Sequence, residues 1–196
     1  MNIKNTKIIL ASSSVYRKEL LERLGLAFTA IKPNINEEHY QDELIDNYVL
    51  RLAKTKAEYV AKNKNKALII AADQALECDK KILGKPMNEN NAKKQLMFMS
   101  NKSLYFYTGL CLINTDTKVV QQDVVTYRVD FRHLSKLEIE NYLLKEKPFD
   151  CAGSFKSEKL GISLIKKMEG DDPTALIGLP LIRLCEMLKK QGIDIP

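Results

Sequence analysis

Three stretches of this sequence put reactive or charged side chains where chemistry is done. Residues 8–21, IILASSSVYRKELL, run from Ile8-Ile9-Leu10 into three serines and then the basic pair Arg17-Lys18. The apolar run reads as a buried strand, and Leu20, Leu21 and Leu24 recur at helical spacing. Ser13 or Ser14 is the natural N-cap. A strand, a loop of small residues and a helix N-terminus together offer backbone N–H groups and the positive end of a dipole. With cations alongside, such a place suits phosphate. On this stretch alone, an ordinary capped helix with solvated basic residues is the simpler reading. The second stretch, KALIIAADQAL, puts Asp73 straight after a six-residue apolar strand. A carboxylate there sits at the rim of a sheet, where α/β proteins gather their sites, although a turn-capping Asp would look the same. In the third, Gly84 and Pro86 hold Lys85 in a fixed turn.

The elements that must position these residues alternate along the chain. Strand-like runs fall at 7–11, 27–32, 67–72, 104–114, 119–131, 150–154 and 161–168. Helical periodicity falls at 14–24, 43–62, 89–99, 135–146 and 179–191. Ser135-x-x-Glu138 is a capping box, and Pro180 opens the last helix, where its missing donor does no harm. Residues 125–131 alternate apolar and polar side chains, as in a half-buried antiparallel strand. The pattern is that of a mixed α/β protein, and 196 residues suit one domain or two closely packed lobes.

Composition narrows the function classes. Hydrophobic residues at 45% and charged residues at 29% describe a soluble globular chain, and no apolar run is long enough to span a bilayer. No signal peptide is visible. Cys78, Cys111, Cys151 and Cys185 form no CxxC pair, and with His39 and His133 as the only histidines there is no zinc pattern. Free thiols in a reducing cytoplasm are the simplest reading. The net charge of +6 comes largely from scattered lysines such as Lys54, Lys56, Lys62, Lys64 and Lys66, without interleaved aromatics. That pattern describes solvated faces, not a nucleic-acid stripe, and it also suits a polyanionic small substrate.

ASSSVYRKELL resembles the opening motif of the Maf family of nucleotide pyrophosphatases, A-S-x-S-P-R-R-x-x-L-L. Further stretches match in the family's order: Glu37-Glu38, RLAKTKA (51–57), AADQ (71–74), ILGKP (82–86), CAGSFKSE (151–158) and GLPL (178–181). The resemblance spans Lys7 to about Gln191. It implies an elongated mixed β-sheet with surrounding helices, in two lobes flanking a central cleft, an architecture similar to inosine triphosphatase, with residues 1–196 forming a single domain. It further implies Asp73 as catalytic base and Glu37 sharing a divalent cation with it, while Glu38 is a solvated neighbour. Two oxygen ligands plus substrate phosphates suit Mg²⁺ or Mn²⁺. Arg17, Lys56 and Lys85 match the family's phosphate-binding cations, although Lys56 by itself reads as a surface lysine on an amphipathic helix. Ser12 would donate to the phosphates. The implied reaction is attack of activated water on the α-phosphorus, giving a nucleoside monophosphate and pyrophosphate.

Three departures from the common pattern bear on the base. Tyr16 replaces the first arginine of the opening motif, Gln74 follows Asp73, and Glu158 stands where many members have glutamine. The trio is similar to the subgroup that hydrolyses 7-methyl-GTP. Methylation at N7 makes guanine cationic, so an aromatic face gains a cation–π attraction and a carboxylate accepts from N1–H and N2–H while balancing the charge. Each residue taken alone has a plainer role, Tyr16 packed on Leu20 and Glu158 exposed on a loop. The expectation is therefore a cytoplasmic 7-methyl-GTP pyrophosphatase acting on modified nucleotides, a homodimer by resemblance, with no nucleic-acid or membrane partner. A dTTP/UTP pyrophosphatase and a non-enzymatic regulator of septum formation are the alternatives. No role is assigned to Phe155 or Lys156, and His133 is expected to be structural.

Overall fold

The computed structural model describes residues 6–196. Its strands are β1 (Lys7–Leu10), β2 (Phe28–Ala30), β3 (Ala67–Cys78), β4 (Lys81–Leu83), β5 (Ser103–Asn114), β6 (Val120–Phe131) and β7 (Ile165–Glu169). Its helices are α1 (Val15–Glu22), α2 (Ile45–Ala61), α3 (Glu89–Met99), α4 (Lys136–Glu146) and α5 (Leu181–Lys190). The strands hydrogen-bond in the order β2-β1-β3-β5-β6-β7, with β4 also on β3. The β1–β2 and β1–β3 pairs are parallel, and β3–β4 and β6–β7 are antiparallel, so the sheet is mixed as expected. The chain forms two compact units. Among the described residues the first comprises 6–74 with Thr108–Val125 and Asp172–Pro196, and the second comprises Ala75–Tyr107 with Thr126–Asp171. The long strands β3, β5 and β6 each contribute to both.

Period-two alternation organises the first unit. Ile8, Leu10, Leu68, Ile70, Ala72, Leu110 and Leu112 pack with Leu20 and Leu21 of α1 and with Leu184 and Leu188 of α5. Ile9, Ala11, Ala67, Ile69, Ala71, Cys111 and Ile113 pack on the opposite face with Ala53, Ala57 and Val60 of α2. Each fully buried Leu or Ile contributes about 1.5–3 kcal/mol relative to exposure. The small residues on the α2 face let that helix come close: a Cβ at Gly109 would lie 2.4 Å from the carbonyl oxygen of Val49. In the second unit Phe155 packs against Phe131 and Phe106, with ring centroids 5.2 and 6.1 Å away. The Ser135–Glu138 capping box is present, and Ser14 caps α1 by accepting from the Arg17 N–H.

Three expectations are corrected. The third strand does not end at residue 72. Ala75, Leu76 and Cys78 stay buried, and β3 continues into a tight hairpin with β4 through Asp79 and Lys80, at φ 49° and 63°. Two successive left-handed residues are what a two-residue hairpin needs. Asp73 therefore lies within a strand and not beyond its end. Residues 150–154 form no strand, because Gly153 and Ser154 adopt φ 65° and 58° and make a short 3₁₀ turn over 152–154. A side chain at Gly153 would meet Leu76 at 2.1 Å. Residues 160–164 are likewise a 3₁₀ turn, so β7 begins only at Ile165.

The segment leading into α5 is organised by one buried carboxylate. Pro180 occupies the N-cap of the helix and offers no side-chain acceptor, which would leave the first helical N–H groups without partners. Thr174 Oγ1 accepts from the Leu181 N–H at 2.8 Å, and Asp172 Oδ2 from the Ile182 N–H at 2.8 Å. The other oxygen of Asp172 accepts from the Thr174 N–H and hydroxyl at 2.9 and 2.6 Å. The carboxylate is almost wholly buried, and the Ile182 N–H and the Thr174 N–H and hydroxyl all donate to it. Asp172→Asn keeps the shape, removes the charge and turns an acceptor into a donor. It should lower unfolding free energy by ~1.5–3 kcal/mol, the scale of hydrogen bonds to a charged group. Urea denaturation checks this, and an unchanged midpoint would contradict it.

Candidate active site

The alternation that builds the core also divides the two polar residues of AADQ. Asp73 follows Ala71 onto the α2 face of β3, and Gln74 follows Ala72 onto the face toward α5. Asp73 is only 7% exposed, and its Oδ1 accepts from Lys56 Nζ at 2.5 Å. Lys56 projects from α2 and is itself 5% exposed. The reading of Lys56 as a surface lysine is thus corrected: Lys56 is among the buried residues of α2, and its ammonium meets the carboxylate. The same ammonium meets Glu37 Oε1 at 2.9 Å. Glu37 stands in the irregular segment after β2 and remains more than half exposed. Two carboxylates of different burial thus converge on one cation.

Arg17 adds a second cation. It lies in the first turn of α1, half-buried, and its Nε donates to the Gly178 carbonyl at 2.8 Å. Burial pushes its pKa down, and the charges of Asp73 and Glu37 push it back up. Gly178 has φ 116°, and a Cβ there would come to 3.4 Å of Arg17 Nε. The turn therefore needs glycine to present its carbonyl to the guanidinium. Ser12 is buried beside this helix, and its hydroxyl accepts from the Ser14 N–H at 3.1 Å. Tyr16 is half-buried on the first turn of α1.

Gln74 is committed more narrowly than its sequence position indicates. Its Nε2 donates to the carbonyls of Ala175 and Leu176 at 2.7 and 3.1 Å and contacts Thr108 Oγ1 at 3.2 Å. Backbone carbonyls only accept, so this orientation of the amide is fixed by its surroundings. What Gln74 can present to a ligand is its oxygen, an acceptor. The buried Thr108 hydroxyl donates to the same Ala175 carbonyl at 2.9 Å.

Lys85 and Glu158 belong to the second unit, and both are exposed. The turn carrying Lys85 is tied down on either side. The Gly84 carbonyl accepts from the Gly153 N–H and from Gln95 Nε2, and the Pro86 carbonyl accepts from Asn91 Nδ2. Glu158 follows the 3₁₀ turn of 152–154 and accepts from the Ser157 hydroxyl at 3.3 Å. Lys156 is nearly buried against Glu146 and Asp150, each at 3.8 Å, and its backbone N–H donates to Tyr142 Oη, so it has a structural place. His133 is exposed, and His39 lies edge-on to Tyr48 with centroids 4.8 Å apart. The four cysteines are free thiols; Cys78 and Cys111 are buried, and burial pushes the Cys111 thiol up to about 12.

The arrangement combines a buried carboxylate held by a lysine ammonium, an arginine whose terminal nitrogens suit phosphate, and an oxygen-only ligand set. Among the described residues no three Asp, Glu, His or Cys side chains gather closely enough to hold a metal by themselves. Glu37 and Asp73 converge on the Lys56 ammonium, and the carboxylate oxygens it leaves free are hard donors of the kind that Mg²⁺ or Mn²⁺ takes, with phosphate and water oxygens completing the shell. Asp172, Thr174 and Thr108 were not legible as part of this assembly. Thr174 is of a type that caps helices, and nothing local points to Thr108.

Residues 7–191 match the family of Maf-like proteins. A 7-methyl-GTP pyrophosphatase of Methylobacillus flagellatus is 52% identical over 188 residues, 96% of this chain and 98% of that protein. Another, of Nitrosococcus oceani, is 47% identical, covering 96% of this chain and 94% of its own. Among solved structures, a HAM1 protein from Coxiella burnetii shares the fold at 16% identity, with a TM-score of 0.58 over 94% of this chain and 99% of that one. No helix among the described residues is long and apolar enough to cross a membrane. The family model and its relatives each cover nearly the whole sequence, and the mixed sheet is the expected one: this chain belongs to the Maf family.

Proposed function

We propose that this protein is a nucleoside triphosphate pyrophosphatase that prefers 7-methyl-GTP, releasing 7-methyl-GMP and pyrophosphate. The observation that carries this reading is the buried Asp73–Lys56 pair, with Glu37 on the same ammonium and Arg17 close by. Its support from outside the structure is the naming of relatives near 50% identity for that reaction.

In the proposed mechanism Asp73 accepts a proton from a water molecule as its oxygen attacks the α-phosphorus. The new O–P bond forms as the bond from the α-phosphorus to the bridging oxygen breaks, and that oxygen leaves with pyrophosphate. Lys56 holds the Asp73 carboxylate in one orientation through Oδ1. Arg17, its Nε fixed by Gly178, keeps its terminal nitrogens for phosphate oxygens, where preorganised charge favours the transition state. Ser12 is a further phosphate donor, and the family resemblance gives Lys85 the same role. Glu37 and Asp73 would hold a Mg²⁺ or Mn²⁺ ion, which supplies charge neutralisation on the phosphates and a more acidic water. For the base, Tyr16 offers an aromatic face, Gln74 an acceptor oxygen and Glu158 a carboxylate. All three suit a cation that also carries N–H donors. We place the enzyme in the cytoplasm, in keeping with its free thiols, and as a homodimer by family resemblance.

Specificity tests the reading directly. Wild-type kcat/KM should favour 7-methyl-GTP over UTP. Glu158→Gln, nearly isosteric but uncharged, should reduce that ratio, and Tyr16→Ala should reduce it by the ~1–2 kcal/mol of a desolvated cation–π contact. A wild type that prefers UTP, or a ratio unmoved by both substitutions, would transfer the assignment to pyrimidine triphosphates. Turnover should also vanish in EDTA and return with Mg²⁺ or Mn²⁺; full activity after exhaustive chelation would remove the metal from the account.

A further inference from the structure

Glu37 lies outside any helix or strand. From the end of β2 at Ala30 to the start of α2 at Ile45 the chain has no helix or strand. Holding each such residue in one conformation costs about 1–2 kcal/mol of backbone entropy. Something other than secondary structure must fix the carboxylate. Two side chains of α2, one turn apart, do so. Tyr48 Oη donates to the Glu37 carbonyl at 3.0 Å. Arg51 grips the same segment at three residues. Its Nε and Nη2 donate to the two oxygens of Glu43 at 2.6 and 2.7 Å, Nη2 also donates to the Glu38 carbonyl at 2.9 Å, and its guanidinium lies 3.9 Å from the centroid of the Tyr40 ring. The pairing holds Glu43 below its ordinary range and Arg51 above its own, so both stay charged.

We infer that Arg51 is a positioning residue that acts through Glu37, fixing the segment 37–43 on α2 so that the Glu37 carboxylate meets Lys56 and whatever cation the site takes. This rests on the role proposed above for Glu37. The spacing carries the point. Lys56 and Arg51 sit on one helix, five residues apart, so the helix that delivers the cation to Asp73 also sets where Glu37 stands. A lysine at position 51 cannot replace the arginine, because the planar fork engages both Glu43 oxygens and a carbonyl at once.

The test is a double-mutant cycle with a binding measurement. Turnover of 7-methyl-GTP and nucleotide-free Mn²⁺ affinity are measured for wild type, Arg51→Ala, Arg51→Lys, Glu37→Gln and the Arg51→Ala/Glu37→Gln pair. Arg51→Ala should lower kcat and weaken Mn²⁺ binding about tenfold or more, as loss of a residue supporting a ligand does. Arg51→Lys should resemble the alanine variant, and the double variant should be no worse than Glu37→Gln alone. Multiplying losses, or wild-type Mn²⁺ affinity in Arg51→Ala, would overturn the inference while leaving Glu37 in place. Wild-type behaviour of Glu37→Gln would instead remove Glu37 from the site, and the inference with it. Should Arg51→Ala fail to fold, Glu43→Gln weakens the same fork, and a kcat and Mn²⁺ affinity equal to wild type would overturn the proposal equally.

Discussion

A lysine ammonium and an aspartate carboxylate meet at 2.5 Å with their side chains 7% and 10% exposed. Removing two such charges from water costs several kcal/mol each, and their attraction offsets this only when the geometry is good. Much of the first unit serves that contact. The small residues Ala53, Ala57, Ala67 and Ala71 bring α2 close to the sheet, and Gly109 lets the helix backbone almost touch β5. A larger face would hold Lys56 too far from Asp73. The pair is a weak source of stability. What it supplies is a carboxylate of one fixed orientation, with the half-exposed Glu37 reaching the same ammonium.

The opposite face of the sheet is organised by a short segment. Asp172 and Thr174 complete the N-terminus of α5 where Pro180 cannot. The turn they fix delivers three carbonyls in four residues: Ala175 and Leu176 to Gln74, and Gly178 to Arg17. The residue proposed to read the base and the residue proposed to bind phosphate therefore share one support. A disturbance of that segment reaches both, even though Asp172 itself touches neither.

Most of this was legible where the cause is local. Ser14 and the Ser135–Glu138 box are caps written in three or four residues, and apolar runs marked β1, β2, β5, β6 and all five helices to within a few positions. The setting of Asp73 within β3 was not legible. A polar pair seemed to close an apolar strand, whereas Ala75, Leu76 and Cys78 carry the strand onward. The hairpin after it escaped notice because Asp79-Lys80 lacks the glycine that usually marks consecutive left-handed residues. The fate of Lys56 was hidden for a different reason. On a helix with apolar and charged neighbours a lysine reads as exposed, and only the partner on β3 shows otherwise. Thr108, Asp172 and Arg51 share that difficulty, since their roles come from contacts far away in the chain or from a segment with no pattern of its own.

If the buried pair is kept for chemistry and not for stability, its two halves must behave unlike ordinary core residues. The most direct measurement is urea unfolding of Lys56→Met and of Lys56→Met with Asp73→Leu. The single variant leaves a buried carboxylate without its ammonium and should lose ~3–5 kcal/mol. The double variant puts apolar side chains of similar size in both places and should recover most or all of that loss, because Glu37 is exposed enough to be solvated without Lys56. A double variant as unstable as the single one would contradict the account, since it would make the pair a structural element that the fold requires.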